Sequence, residues 1–404
     1  MPVYLQRAAS VLRHPLVFAF YLPSLLFSIS MGLIKPILPL YALDFTSSYG
    51  IIGIILAGDA LGTVLGDIPA GILLRRMRDK QVMVIGLGIV VFSMIMLYWA
   101  DTVLLVILLL FLFGVGRALF NVSTHMYLAA GVQFGNRGKA IASYGGIGRI
   151  GNAIGPVIGG SVATAFNLRA PFLVFAFLGL AAITLVILRL RSQDIDLKGQ
   201  DQHHFSLRST VKSNSRTFAV AGAGQLFAQM IRAGRNVIIP LYAADVLGLD
   251  AQTIGILISI SWGLDMLLFY PAGWIMDNLG RKYAIVPSFV IQTVAMVMVA
   301  FSTDFASLLI ASGLMGLGNG ISSGTMMTLG SDLAPPDSRG DFLGVWRLIG
   351  DVGATGAPLV VGWVAGLVVL PAAAGALSGA GILAALIFAF LVPEPLKKNP
   401  RKRI

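Results

Sequence analysis

Pro39-Leu-Tyr-Ala-Leu-Asp44 returns 201 positions later as Pro240-Leu-Tyr-Ala-Ala-Asp245, and other short motifs return at almost the same distance. Pro69-Ala70-Gly71 returns as Pro271-Ala272-Gly273, Gly114-Val-Gly116 as Gly316-Leu-Gly318, Arg137-Gly138 as Arg339-Gly340, and Pro156 as Pro358, each 202 positions on. The chain has 404 residues, so the repeating unit is half of it. Solenoid units run to only about 20–50 residues. In a chain this apolar the duplication predicts two homologous bundles of membrane helices with a pathway between them.

Hydrophobic residues make up 57% of the chain and charged residues 12%, with a mean hydropathy of +0.86. Soluble domains carry about 25% charged residues. Uncharged runs at 16–34, 82–100, 170–188, 283–303 and 305–331 reach the roughly 20 residues that a hydrocarbon core requires. They are apolar on every face and do not alternate, which excludes amphipathic soluble helices and barrel strands. The sequence therefore predicts an all-α membrane protein with twelve spans: 16–43, 50–74, 81–100, 102–131, 140–163, 170–190, 217–245, 252–276, 283–303, 305–333, 341–368 and 371–392. These group into a six-helix bundle over 1–190, a polar linker over 191–216, a second bundle over 217–392 and a basic tail over 393–404. The first span is longer than a signal peptide's apolar region and is expected to be retained.

Lysine and arginine set the orientation. Arg75, Arg76, Arg78, Lys80, Arg137, Lys139, Arg281, Lys282, Arg339, the linker and the tail all fall on one side, while the opposite loops hold only Arg169. The positive-inside rule puts both termini in the cytoplasm and the protein in the plasma (inner) membrane. The net charge of +11 reflects this topology and attraction to anionic headgroups, not a nucleic-acid partner. There is no cysteine, and His203-His204 in the linker lacks the further ligands of a metal site. No nucleotide loop or catalytic triad spacing appears, so an enzyme is not expected. A monomer without a bound cofactor is.

Two motifs stand out. Gly151-Asn-Ala-Ile-Gly155-Pro156-Val-Ile-Gly159-Gly160 puts Gly151, Gly155 and Gly159 on one helix face, open to close approach by another helix. Pro156 removes a backbone donor within it. Gly273-Trp-Ile-Met-Asp277-Asn-Leu-Gly280-Arg281-Lys282 makes a tight turn at Gly280. There Asp277 is expected to accept bonds from a neighbouring helix N-terminus. Together these resemble the major facilitator superfamily. The Asp277 loop is similar to its signature G-x3-D-x2-G-R-K, and 151–160 is similar to the fifth-helix motif of its proton-coupled drug antiporters. The resemblance implies two six-helix bundles that rock about a central site. The first repeat departs from the signature, with Arg75 at the acidic position and Arg78 at the second glycine. Asp341 is expected to pair with Arg75 or Arg76. The second repeat keeps Pro358 but few of the surrounding glycines, so a barrier made by the fifth helix is not expected to be duplicated.

Ionisable residues inside membrane spans are costly and point to function. They are Lys35, Asp59, Asp67, Arg117, Arg149, Arg232, Arg235, Asp265, Arg347 and Asp351, with His125 nearer a helix end as an edge residue. Asp59, then Asp265, with Asp67 and Asp351, are the candidate proton carriers. The cations are candidates to line the substrate cavity, Lys35 and Arg235 as rough repeat equivalents. Structural roles compete with these: an Arg347–Asp351 pair four residues apart, an Arg149–Asp265 pair, and a packing ladder of Gly58, Gly62 and Gly66. Trp262, Trp346 and Phe120 are candidates for an apolar cavity wall. The sequence reading is a proton-gradient-driven exporter of amphipathic small molecules; a carrier of an organic anion or phosphate ester is the alternative.

Overall fold

The computed structural model describes residues 20–131, 137–190 and 207–395. His203, His204 and the tail beyond 395 lie outside them. Every regular element among the described residues is helical: α1 (Leu22–Ile34), α2 (Ile37–Leu43), α3 (Tyr49–Arg76), α4 (Asp79–Tyr98), α5 (Val103–Gly131), α6 (Arg137–Ala165), α7 (Ala170–Arg189), α8 (Leu207–Ser213), α9 (Ala223–Leu241), α10 (Ala251–Leu267), α11 (Phe269–Asn278), α12 (Arg281–Ala300), α13 (Phe305–Ile321), α14 (Thr325–Leu333), α15 (Arg339–Leu367) and α16 (Leu370–Leu386). Wider π turns, Phe218–Gly222 and Tyr242–Val246, flank α9. Ten stretches among the described residues are long and apolar enough to cross a membrane. Neither α6 nor α9 is among them. Glycines and Arg149 dilute the first, while Gln225, Gln229, Arg232, Arg235 and Asn236 dilute the second.

Three expected spans are interrupted, each beside a proline or at a left-handed glycine. Pro36 lacks an N–H and separates α1 from α2, where the Lys35 N–H turns to the Gly32 carbonyl at 3.3 Å. Pro271 crowds the carbonyl of Leu267, four residues earlier, where α10 ends. Gly324, at φ +77°, opens a gap between α13 and α14. The short α14 is then held from the side. Trp346 donates its indole N–H to the Met326 carbonyl at 3.0 Å, and Arg281 Nε donates to Asp332 Oδ2 at 2.8 Å. Leu207–Ser213, read from sequence as polar linker, is helical.

The described residues form two compact units, one from 20–45, 58–190 and 250–259, the other from 46–57, 207–249 and 260–395. In the first, the glycine face of α6 lies on α1. A Cβ at Gly155 would come within 2.5 Å of the Ile29 carbonyl oxygen and the Leu33 nitrogen, and one at Gly159 would strike the Leu33 carbonyl. The ladder on α3 packs on α5: a Cβ at Gly66 would meet Val115 and Ala118 at 2.9 Å. In the second unit Gly353 of α15 takes the same close position against Leu226.

The duplication is visible contact by contact. Tyr41 donates to the Leu97 carbonyl at 2.7 Å, and its counterpart Tyr242 donates to the Ser302 carbonyl at 2.9 Å. Lys80 Nζ donates to the Ile187 carbonyl at 2.7 Å, and Lys282 Nζ to the Ala389 carbonyl at 2.8 Å. A Cβ on Gly255 would strike the Pro156 carbonyl beside Gly160, while one on Gly53 would meet the Pro358 carbonyl at 2.5 Å and Gly362 at 3.1 Å. The fifth-helix contact is therefore duplicated after all. It needs glycine only at 53 and 362, the counterparts of 255 and 160, so the loss of the other glycines does not remove it.

The signature loop differs from expectation in one respect. The carboxylate on the N-terminus of α12 is Glu394, which accepts from Arg281 N at 3.0 Å and Lys282 N at 2.9 Å. A helix N-terminus favours an anion, and Gly280, at φ +131°, leaves room for this one. Asp277 is exposed and instead accepts from Arg281 Nη1 at 3.3 Å. In the first repeat Asp79 opens α4, so the anion there comes from within the helix.

Candidate functional site

Polar side chains gather in the spans of each unit. In the first, Thr63 on α3 and Arg117 on α5 are brought together by Gly114, whose absent side chain lets α5 touch the Asp59 carbonyl. Arg117 donates to Thr63 Oγ1 through Nε at 3.2 Å and Nη2 at 2.7 Å. Its Nη2 also lies 3.0 Å from Asp59 Oδ1, with the two side chains 22% and 20% exposed. That oxygen accepts no hydrogen bond among the described residues. Thr63 in turn donates to the Asp59 carbonyl at 2.9 Å. The result is a half-buried ion pair held by charge.

In the second unit, Asp265 on α10 is fully buried. Its Oδ2 accepts from Arg235 Nη2 on α9 at 3.4 Å and from Asn319 Nδ2 on α13. The Arg235 guanidinium stacks 4.2 Å above the Trp262 ring, so its face is occupied as well as its edge. One turn away Arg232 donates to the Ser322 carbonyl at 3.2 Å and to Ser322 Oγ, beside the gap in helix α13–α14. Ser288 Oγ bonds Ser322 Oγ at 2.6 Å, and Gln292 Nε2 bonds Ser288 at 2.9 Å. Arg232 also lies over Phe289 at 5.1 Å.

Of the residues singled out from sequence, Asp59 meets Arg117, and Asp265 meets Arg235. Arg347 Nε and Asp351 Oδ2 are 3.6 Å apart on the more exposed side of α15. Lys35 is half-buried at the α1–α2 break, Asp67 half-buried on α3 and Arg149 half-buried on α6. His125 is exposed and its ring bonds the Asn121 carbonyl at 2.8 Å. Two expected cavity residues are core instead. Phe120 is packed on Phe27, and Trp346 is 1% exposed. Lys35 and Arg235 are also not equivalent: the 201-residue register of that stretch pairs Lys35 with Asn236. Thr63, Asn319, Ser322, Ser288 and Gln292 were not singled out. The repeat was the available signal, since 63 and 117 map to 265 and 319.

The fold and the paired intramembrane charges define a class, the polytopic helical transporters. The chain belongs to the Major Facilitator Superfamily, whose family profile matches residues 20–231 and 221–404. It is 25% identical over 342 residues to the uncharacterized MFS-type transporter MJ1560 of Methanocaldococcus jannaschii, covering 83% of this chain and 88% of that one. It is 24% identical to the multidrug efflux protein YfmO of Bacillus subtilis over 347 residues, 83% and 82% of the two chains. The multidrug resistance protein MdtG of Klebsiella pneumoniae is 31% identical over 202 residues, 48% of each. Among solved structures, the nucleoside transporter NupG superposes with a TM-score of 0.76 at 15% identity, over 92% of this chain and 98% of that one. The D-xylose-proton symporter does so with a TM-score of 0.76 at 16% identity, over 94% and 98%. These likenesses show the fold. The chain is a multi-pass membrane transporter of this superfamily.

Proposed function

We propose that the chain is a proton-coupled exporter of amphipathic small molecules, working by alternating access of two six-helix bundles, 1–190 and 217–392, in the inner membrane with both termini cytoplasmic. Twelve spans follow if α6 and α9 cross the membrane with the ten apolar ones. The observation that carries the coupling is Asp59. It is the partly exposed carboxylate of an ion pair inside a span, whereas Asp265 is fully buried and accepts from Arg235 and Asn319. The proton therefore travels on Asp59, while Asp265 anchors Arg235. The efflux assignment draws on the glycine face of α6 and on the multidrug names of two relatives. Asp341 pairing with Arg75 or Arg76 belongs to the same proposal, as one of the contacts exchanged during the cycle.

The test uses the purified full chain in proteoliposomes with an imposed pH gradient and a fluorescent lipophilic cation. Gradient-driven transport is expected for the unaltered protein, and Asp59→Asn should retain passive exchange but lose the drive. Undiminished gradient-driven transport by Asp59→Asn refutes the coupling assignment. A second reading, a carrier of an organic anion or phosphate ester, is favoured by Arg232 and Arg235 on one helix. Exchange stimulated by organic anions alone would select it.

A further inference from the structure

Arg117 turns one edge of its guanidinium, Nε and Nη2, toward two acceptors. Thr63 Oγ1 takes both Nε and Nη2, at 3.2 and 2.7 Å. Asp59 Oδ1, 3.0 Å from the same Nη2, receives charge but no hydrogen bond. The threonine hydroxyl is free to accept because backbone carbonyls take its own hydrogen, that of Asp59 at 2.9 Å or that of Gly114 at 3.3 Å. In the second repeat position 265 corresponds to 63 and carries the carboxylate itself, and there the bonds from Arg235 and Asn319 are made. A hydrogen bond to a carboxylate stabilises its charged form specifically. Withholding one leaves attraction that a proton can overcome more readily.

We infer that Thr63 is a positioning residue that draws the hydrogen bonds of Arg117 away from Asp59, keeping the carboxylate ion-paired yet able to take a proton. The inference rests on Asp59 as the coupling group. Thr63→Val keeps the shape and removes the competing acceptor, so the guanidinium turns to Asp59 and holds it ionised.

Dicyclohexylcarbodiimide reacts with protonated carboxyl groups in apolar surroundings and needs no transport substrate. Labelling of the full-length transporter in liposomes, mapped to the Asp59 peptide by mass spectrometry, reads the protonated form directly. Thr63→Val should lower labelling roughly tenfold, about the worth of one hydrogen bond to a charged group. Thr63→Ser should preserve it, and Thr63→Ala replaces the valine variant if that one does not fold. Equal labelling of the unaltered protein and Thr63→Val overturns the role of Thr63. A fall in Thr63→Ser as large as in Thr63→Val overturns it too, by assigning the effect to the methyl group. No labelling of Asp59 in the unaltered transporter sinks the coupling proposal itself, a separate result.

Discussion

Arg117 and Asn319 stand at the same position of the two repeats, and each reaches the same repeat position on a partner helix: Thr63 on α3 in one, Asp265 on α10 in the other. One scaffold thus carries a cation on an alcohol in the first repeat and an amide on an anion in the second. Arg117 on α5 leaves its carboxylate, Asp59, partly exposed. The second repeat imports Arg235 from α9 and seals its carboxylate completely.

That sealing makes the Arg235–Asp265 pair intolerant of half-removal. Arg235→Ala leaves a buried carboxylate without its cation, a loss of about 3–5 kcal/mol. Thermal unfolding in detergent should show a large drop for Arg235→Ala and partial recovery in Arg235→Ala with Asp265→Asn. Arg117→Ala, which uncovers a more accessible group, should cost less. Equal stability of Arg235→Ala and the unaltered protein rules the arrangement out.

Glycine positions on α6 should divide sharply. A Cβ at Gly155 would meet backbone atoms of α1 at 2.5 Å, whereas one at Gly148 has nothing within 4 Å. Gly155→Ala is expected to lose roughly 1–3 kcal/mol by overpacking. Gly148→Ala should be neutral or slightly stabilising, as alanine is the better helix former. Melting curves of the two variants measure this directly.

Glu394 should matter more than Asp277 at the start of α12. Glu394→Ala removes the acceptor of two backbone N–H groups, a capping loss of about 0.5–2 kcal/mol. Amide exchange at Arg281–Tyr283 should accelerate in Glu394→Ala and stay unchanged in Asp277→Ala. The reverse order would show that the signature carboxylate, not Glu394, caps the helix.

Asp304 caps α13 from outside the membrane spans. Bonds from the Ser307 N–H at 2.8 Å and the Ser307 hydroxyl hold its carboxyl below the usual carboxylate range. A depressed value means the stabilisation is complete above the unfolded value, about 3.9. It is lost as pH falls through the folded one. Asp304→Ala should therefore be less stable than the unaltered protein at neutral pH, with the gap closing on acidification below about pH 4. A gap that persists in acid would contradict this.

The apolar runs and the 202-residue echo made the helical membrane fold legible, because lipid leaves so few solutions for a backbone. Asp59, Arg117, Arg235 and Asp265 were legible as costly charges. Their partners were less so. Arg235 reaches Asp265 across 30 positions, and Thr63, an unremarkable polar residue, owes its importance to the approach permitted by Gly114. Glu394 was hidden for the same reason: it meets Arg281 113 positions away in sequence, and a loop signature read by itself points to the nearer Asp277. Pro36, Pro271 and Gly324 signalled the helix breaks, but a hydropathy window averages over them.

Consider the nine residues of α14, cut loose from α13 by the left-handed glycine. Their direction is dictated by a tryptophan and an arginine on other helices, as a door is aimed by its hinges and not by the wall it once continued. Disturbing either fastening re-aims the piece without touching it, so substitutions at Trp346 or Arg281 will be felt at a distance from where they are made.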